Sequence, residues 1–464
     1  MKKDTITQNS KNLNTPPAFS RLNWLILLLF GTIGQLAWSV ENMYFNLFVF
    51  DTIAPNLEAI TLMVQLSGVT ATLVTLVAGV LSDKVGNRRS FIAWGYVIWG
   101  VTVAIFGCLS PELVSDLFMV ESTKAVSLAL TLAVICDCVM TLFGSTANDA
   151  AFNAWVTDNT KPAFRGSVEG VVSILPLIAM LIVAGGFGIL VELIKYRALF
   201  VALGAVISIS GVIGIFIIKD SPEMERSGGL RDILYGFRPS VIKSHTPLYV
   251  TLIIVLIYGI STQIFMPYLI IYMKTYLSFS VIEYSLVFGL AIVVGAAINV
   301  YLGRLSDRMD KVKLLYLAAG TMALGLLGMY FAPKDNKIAA LIIFGIFGFV
   351  MITGYIFVSA LCGSTVRDYT PEGAVGKLQG VRMVFSVLIP MLLGPAIGNA
   401  INKARGIKLE DAGADIMTTE YIPAPEIFLV GALVALLMLA VIPLLAKARA
   451  KTDVATNTDA NTEA

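Results

Sequence analysis

Uninterrupted apolar stretches of about 20 residues recur along the whole chain, and short polar segments separate them. A helix of about that length crosses the hydrocarbon core of a bilayer. The first apolar run is too long for a signal-peptide core and has no small-residue cleavage pattern, so we interpret it as the first span. The pattern predicts twelve spans, at about 22–50, 58–81, 90–109, 126–150, 168–191, 198–218, 248–273, 281–303, 313–332, 338–362, 376–401 and 426–446.

Composition supports a membrane protein. Hydrophobic residues make up 57% of the 464 residues and charged residues only 14%, whereas soluble proteins have about 25% charged residues. The net charge is +2 and the basic residues are dispersed, so nucleic acid is not an expected partner. The expected partners are the lipid bilayer and a small-molecule substrate.

The distribution of Lys and Arg predicts the orientation. With the amino terminus in the cytoplasm, 24 of the 33 Lys and Arg residues fall on the cytoplasmic side, as cytoplasmic loops require. We therefore predict a multi-pass protein of the cell membrane with both termini in the cytoplasm.

Two halves of the chain resemble each other. The halves are 1–218 and 248–464, joined by a cytoplasmic linker at 219–247. "GVLSDKVGNRR" (79–89) aligns with "GRLSDRMDKVK" (303–313), and "VTDNTKPAFRGSVEGV" (156–171) aligns with "VRDYTPEGAVGKLQGV" (366–381). Two related six-span halves around a central site are typical of transporters.

The 79–89 loop resembles the loop signature of the major facilitator superfamily. The match is carried by Gly79, Leu81, Asp83, Lys84, Gly86, Arg88 and Arg89, and the second copy keeps Gly303, Leu305, Asp307 and Arg308 but has Asp310 where the family prefers glycine. The resemblance implies an all-α membrane protein of twelve transmembrane helices in two pseudo-symmetric six-helix bundles. It also implies alternating access.

The same resemblance implies a gate. In that family, contacts around this loop hold the cytoplasmic side shut, and we expect Arg382 of span 11 to pair with Asp83. The predicted gating residues are Asp83, Arg88, Arg89, Asp307, Arg308 and Arg382. The alternative is that the basic residues only fix the topology.

Span 1 contains "GQLAWSVENMYFN" (34–46), in which polar residues interrupt an apolar run. At 100° per residue, Gln35, Trp38, Glu41, Asn42 and Phe45 share a face about 120° wide. A charge at the bilayer centre costs roughly 2.5–3.5 kcal/mol or more, so this face should line a cavity. Its aromatic and amide groups suit a sugar ring. In the alternative, Glu41 simply reaches the outer interface.

Span 4 carries a second acid, Asp137, close to mid-membrane, with Thr141, Gly144 and Asn148 on its face. An isolated carboxylate there would be protonated or paired. We therefore predict Glu41 and Asp137 as coupling residues, with the proton as coupling ion, sodium as an alternative, and no other cofactor or metal. Asp137 could also be a structural, protonated group, and Asp149 is expected at the interface.

Spans 7 and 10 supply aromatic and hydroxyl side chains. The substrate-binding residues predicted here are Thr262, Phe265, Tyr268 and Tyr355, beside Gln35, Trp38, Asn42 and Phe45 of span 1. The alternative is that these aromatics only pack the bundle.

Enzymatic and ATP-driven mechanisms lack their motifs. The sequence has no GxxxxGK[ST] phosphate loop, no zinc-ligand spacing and no GxSxG or HExxH. The single histidine, His245, lies in the linker. We predict a secondary transporter and not an enzyme.

The substrate class rests on weaker resemblances. "FMPYLIIYM" (265–273), "KDSPE" (219–223) and the "RGxxxG" pattern after span 4 are similar to segments of sugar carriers and glycoside cation symporters. Span 2 lacks the acidic pair of the sodium-driven melibiose-type carriers, which favours protons. We predict proton-coupled uptake of a sugar or glycoside by a monomer. A multidrug or organic-solute proton antiporter and a non-transporting membrane sensor are the alternatives.

Overall fold

The fold is almost entirely helical. The computed structural model describes residues 19–160, 165–221, 235–306, 309–371, 375–408 and 421–462. In this part of the chain, eleven continuous helical segments are long and apolar enough to cross a membrane. The longest of them consists of two helices joined by a kink at Lys195, whose backbone (φ 65°, ψ 159°) is not helical. Lys195 thus divides that segment into two spans, and the prediction of twelve spans is confirmed.

The first bundle contains α1 (Arg21–Ile53), α2 (Leu57–Val85), α3 (Arg88–Gly107), α4 (Ser122–Asn159), α5 (165–194) and α6 (196–217). The second contains α7 (Thr246–Thr275), α8 (Val281–Ser306), α9 (Lys311–Tyr330), α10 (Lys337–Asp368), α11 (375–405) and α12 (Glu426–Thr462). We call the end of the bundles at Arg21 and the linker the inner end, following the predicted orientation, and the opposite end the outer end.

Short elements connect the spans. They are the helices Pro111–Phe118 and Pro239–Ser244, the 3-10 turns Tyr235–Phe237 and Met266–Tyr268, and an antiparallel strand pair, Ile407–Lys408 with Tyr421–Ile422. Several spans contain wider π-helical turns, at Glu41–Phe45, Val49–Ile53, Ser145–Phe152, Val183–Phe187 and Val384–Leu388.

Local sequence sets the helix ends. The side chains of Asn56 and Asn87 accept hydrogen bonds from backbone N–H groups in the first turns of α2 and α3, which are the groups that have no partner within a helix. Gly86 ends α2 in a left-handed conformation (φ 67°), which glycine adopts without a steric penalty.

Glycines let helices pack closely in both bundles. A Cβ on Gly100 of α3 would lie 2.2 Å from the carbonyl oxygen of Gly204 on α6, and a Cβ on Gly354 of α10 would lie 2.3 Å from the backbone nitrogen of Met322 on α9. These contacts leave no room for a side chain.

Each bundle has an ion pair of its own at the equivalent position, between its third and fourth spans. Arg88 at the start of α3 contacts Asp158 at the end of α4 (3.0 Å), and Lys311 at the start of α9 contacts Asp368 at the end of α10 (2.5 Å). This correspondence agrees with the internal repeat seen in the sequence.

The bundles meet at the outer end. Across the seam, the Thr61 and Tyr268 hydroxyls lie 2.6 Å apart, Lys274 contacts Asp51 at 2.6 Å, Lys403 pairs with Glu58, and Gln65 donates to the carbonyl of Leu392. At the inner end, ion pairs between described residues stay within one bundle. The structure is therefore a conformation closed at the outer end.

Candidate functional site

The carboxyl group of Glu41 lies inside the first bundle. Glu41 starts the π-helical turn of α1, and its side chain extends towards α2 and α4. Its Oε1 accepts hydrogen bonds from Ser67 of α2 (3.1 Å) and Thr141 of α4 (3.2 Å). Glu41 is 8% exposed, so this acid is held in a polar pocket between three helices.

The Asp137 carboxyl adjoins the same pocket. Asp137 is 2% exposed, lies beside Ser67 and is near enough to Glu41 for the two acids to interact electrostatically. Its Oδ1 has no hydrogen-bond partner. The side chains that act on these two carboxyls are hydroxyls and other acids, and no Lys or Arg of the described chain is among them. We call Glu41, Ser67, Asp137 and Thr141 the upper cluster.

A proton is missing from the upper cluster if Glu41 is ionised. Ser67 and Thr141 contact Glu41 and also lie 2.7 Å from each other. Three hydrogen bonds need three protons, and the two hydroxyls carry one each. A proton on Glu41 Oε1 completes the set if the carboxyl donates to one hydroxyl, that hydroxyl donates to the other, and the second donates back to Oε1, so the geometry suits a carboxyl group that is loaded with a proton.

A third acid, Asp149, lies about three turns beyond Asp137 on α4, towards the inner end. Its carboxyl accepts hydrogen bonds from Ser145 (3.2 Å) and Asn148 (3.1 Å), and the Asn148 amide oxygen is 3.1 Å from the hydroxyl of Tyr96 on α3. The Trp38 indole lies close to Asp149. Unlike the upper acids, Asp149 is only half-buried. The sequence suggested that Asp149 lies at the membrane interface. In the structure its carboxyl instead belongs to a cluster of hydrogen-bonded side chains.

The residues of the predicted polar face of α1 lie in two different environments. Trp38 packs against Trp99 with ring centres 5.2 Å apart, and Phe45 stacks on Phe106 at 4.4 Å. Both rings thus point into the first bundle, and Phe45, 1% exposed, lines no cavity. Gln35 is half-buried and Asn42 is exposed. The reason is that α1 turns this face towards α3 and α4, so only its edge stays open.

The predicted substrate-binding residues of the second bundle also differ in their environments. Phe265 packs on Phe428 of α12, and Tyr268 is buried at the seam, where it contacts Thr61 and the carbonyl of Pro395. Thr262 is buried and donates to the carbonyl of Tyr258. Tyr355 remains half-buried, 5.3 Å from the ring of Tyr258.

Two of the predicted gating residues, Asp83 and Arg88, belong to one network within the first bundle. Arg88 contacts Asp83 at 2.5 Å, Asp158 at 3.0 Å and the Ser82 hydroxyl at 2.6 Å. The partner that the structure gives Asp83 is Arg88 of the same bundle, whereas the expected pairing of Asp83 with Arg382 stays a prediction. Arg89 donates to the carbonyl of Ile215. Asp307 and Arg308 lie outside the described residues.

Sequence reasoning missed several polar residues of the site. Ser67, Tyr96, Ser145 and Tyr258 are not among the residues predicted from the sequence. A usable signal existed on α4, where Thr141, Ser145 and Asp149 follow Asp137 at steps of four residues and so lie along one side of a helix. For Ser67 and Tyr96 the sequence offers no such signal, because they come from other helices.

Comparisons with known proteins agree with this architecture. The family model of the Major Facilitator Superfamily matches residues 27–395. A search of curated proteins finds no match.

Solved structures share the fold at low identity. The chain is similar to the nucleoside transporter NupG (TM-score 0.63, 11% identity, covering 92% of this chain and 100% of that one). It is also similar to a bacterial homologue of the iron transporter ferroportin in an outward-facing state (TM-score 0.60, 16% identity, 92% and 100% covered). A third similar structure is a bacterial metal transporter (TM-score 0.56, 15% identity, 92% and 99% covered). The chain therefore belongs to the Major Facilitator Superfamily, and it is a multi-pass membrane transporter and not an enzyme.

Proposed function

We propose that this transporter couples the entry of protons to the uptake of a small neutral hydroxylated solute, a sugar or glycoside. The observation that carries the proposal is the upper cluster. Two buried acids, Glu41 and Asp137, adjoin the same hydroxyl groups and have no basic partner among the described residues.

Burial without a basic partner favours a proton as the coupling ion. An ionised carboxylate taken out of water has a large desolvation penalty, and a proton removes it. Two acids close together cannot both ionise readily, so at least one of them holds a proton when the pocket is dry. Opening the pocket to water on one side lets the proton leave, which links proton release to alternating access.

The remaining open side chains suit a neutral solute. Gln35 and Asn42 on α1, and Tyr258, Tyr355 and Ser359 on α7 and α10, keep partial or full exposure. Amide and phenol groups hydrogen-bond to hydroxyls, and tyrosine rings offer a flat apolar surface to a sugar ring. The absence of Lys and Arg from the middle of the spans disfavours an anionic solute.

The names of the similar structures suggest one further candidate substrate, a nucleoside. NupG is described as a nucleoside transporter, and a nucleoside is itself an N-glycoside. The described residues contain no group of three or more His, Cys, Asp or Glu side chains arranged to hold a metal ion, so the metals in the other two names are not extended to this chain.

The test is uptake by the purified full chain in liposomes. Labelled glucose, sucrose, maltose and uridine are offered with the lumen alkaline, and a pH dye inside reports proton entry. We expect one of these solutes to accumulate above its outside concentration and to bring protons with it. Expulsion of a cationic dye without accumulation of any of the four solutes would instead establish an antiporter, and no proton movement with any compound would contradict coupling.

Variants assign the coupling role. In Glu41→Gln and Asp137→Asn, we expect uphill accumulation to fall at least tenfold while exchange of labelled for unlabelled solute continues. Asp116→Asn is the matched control, because Asp116 is an exposed acid on the short outer helix Pro111–Phe118. Wild-type accumulation in both cluster variants would show that these acids are structural.

A further inference from the structure

We infer that Asp149 is the inner relay through which the upper cluster exchanges its proton with water. The inference rests on the proposed proton coupling and adds a residue and a route to it. The upper acids are 8% and 2% exposed, so neither reaches bulk water directly in this conformation. A proton held there needs a path, and the polar contacts of α4 provide one.

The path follows one side of α4. Thr141 belongs to the upper cluster, Ser145 comes four residues later, and Asp149 comes four residues after that. Side chains four residues apart on a helix are neighbours, with Cβ atoms roughly 5–6 Å apart. The Ser145 hydroxyl donates to Asp149 Oδ2 at 3.2 Å, and Asp149 acts electrostatically on Glu41. Hydroxyl and carboxyl groups thus follow one another from the buried pair towards the inner end, and one water between the Thr141 and Ser145 hydroxyls would complete the path.

The route lies where the backbone of α4 departs from regular α-helix. Ser145 and Asp149 both belong to the π-helical segment Ser145–Phe152, and Glu41 starts the π-helical turn of α1. Such turns are rare within helices and frequent at functional sites. Here they place the carboxyl groups of two helices in one polar region.

Asp149 lies closer to the protein surface than the upper acids. It is half-buried, and two exposed polar residues, Asn153 and Thr157, follow it at steps of four residues along the inner part of α4. A run of polar side chains is not expected against lipid. That side of α4 therefore provides a polar surface from Asp149 to the inner end of the helix.

The groups around Asp149 allow it to change charge. Glu41 faces it from α1 and Tyr96 from α3, while α2 contributes uncharged side chains between Ser67 and Thr75. Trp38, whose Nε1 is buried without a hydrogen-bond partner, lies beside the carboxyl. No described Lys or Arg holds Asp149 permanently ionised.

The proton balance of the step is simple. A protonated acid of the upper cluster gives its proton, by way of Thr141 and one bridging water, to the Ser145 hydroxyl. Ser145 accepts one proton and passes its own to the Asp149 carboxylate. The upper acid is left ionised, Asp149 becomes neutral, and Asp149 then releases the proton to water at the inner end. No oxidant or other reactant takes part.

The test follows protonation directly and needs no transported solute. The full chain in lipid nanodiscs receives protons from a photolysed caged acid, and time-resolved infrared spectroscopy records the carboxylic C=O band. The part of the band that disappears in Glu41→Gln or Asp137→Asn belongs to the upper cluster. In Asp149→Asn, we expect that part to reach its wild-type amplitude at least tenfold more slowly, and in Asp149→Glu to recover most of the rate.

Controls separate a relay from a structural role. Asp116→Asn removes an exposed outer acid and should leave the rate unchanged. If Asp149→Asn protonates the upper cluster within twofold of the wild-type rate, or if Asp149→Glu is as slow as Asp149→Asn, the relay is wrong. If the wild-type band contains no component that depends on Glu41 or Asp137, the proposed coupling site fails, which is a different result from failure of the relay.

Discussion

The hydroxyl oxygens of Thr61 on α2 and Tyr268 on α7 lie 2.6 Å apart, buried between the two bundles. These residues are 207 positions apart in the chain. Because alternating access requires the outer ends to separate, this contact must break in each cycle. It therefore contributes to the balance between the outer-closed and outer-open conformations.

Tyr268→Phe should shift that balance towards the outer-open conformation. A buried hydrogen bond contributes about 0.5–1.5 kcal/mol net, which corresponds to a change of roughly two- to tenfold in the ratio of conformations. Distance measurements between spin labels at the outer ends of the bundles report the ratio. Tyr272→Phe is the matched control, since the Tyr272 hydroxyl is buried without a hydrogen-bond partner. Equal distance distributions in both variants and the wild type would remove Thr61–Tyr268 as a closing contact.

Lys274→Gln should also shift the balance towards the outer-open conformation, and the size of this shift should depend on the salt concentration. Lys274 of α7 contacts both Asp51 oxygens at 2.6 Å, and the Tyr196 hydroxyl donates to the same carboxyl at 2.8 Å. The Lys274 side chain is 40% exposed, and exposed pairs contribute about 0.2–1 kcal/mol. We expect up to a fivefold shift at low ionic strength that fades in 1 M salt, measured with the same labels.

A second ion pair provides the comparison for Lys274. Lys337 contacts Glu283 at 2.8 Å, but both residues belong to the second bundle. Lys337→Gln should leave the distances unchanged at any salt concentration. A shift of the same size in the two variants would mean that surface charge in general, and not the pair across the seam, sets the balance.

Arg88→Gln should destabilise the inner end of the first bundle. Arg88 is 5% exposed and connects Asp83, Asp158 and Ser82, so its loss leaves two carboxylates facing each other without a cation. Removing one partner of a buried ion pair costs about 3–5 kcal/mol, although the partial exposure of the acids lowers that figure here. We expect a lower unfolding temperature of the detergent-purified protein. Arg89→Gln, which removes an exposed neighbour, should have a smaller effect, and a reversed order would contradict the network.

Gly100→Ala should disrupt the contact between α3 and α6. The new Cβ would lie 2.2 Å from the carbonyl oxygen of Gly204 and 2.5 Å from the backbone nitrogen of Ser208, so the helices must separate. Overpacking typically costs about 1–3 kcal/mol. Gly320→Ala on α9 is the control, since nothing lies within 4 Å of its Cβ position. The prediction is tested by thermal unfolding in detergent, and an equal unfolding temperature for the two variants would contradict it.

Much of the site could be found from the sequence because acids inside an apolar run are conspicuous. Glu41 and Asp137 lie in spans where leucine is expected, and this alone selected them. Their partners could not be selected in the same way. Serine and threonine are common in membrane helices, and nothing in the local sequence of Ser67 distinguishes it from Thr72, whose hydroxyl only bonds to its own helix.

The aromatic residues show what a helical pattern leaves undetermined. Phe45 and Phe265 fall on helix faces that also carry polar residues, which suggested a substrate surface. In the structure each ring packs against a helix of its own bundle. A helical wheel gives the relative directions of side chains within one helix, but it does not give the rotation of that helix against its neighbours.

The sequence by itself determined the membrane class, the twelve spans, the internal repeat and the acids of the first bundle, because hydropathy and periodicity are properties of each segment alone. Only the tertiary structure decided that Asp83 pairs with Arg88, that Ser67 and Thr141 share Glu41, and that the outer end is closed. These contacts depend on how the helices rotate and approach one another, which is set by glycine contacts and aromatic packing between residues far apart in the chain.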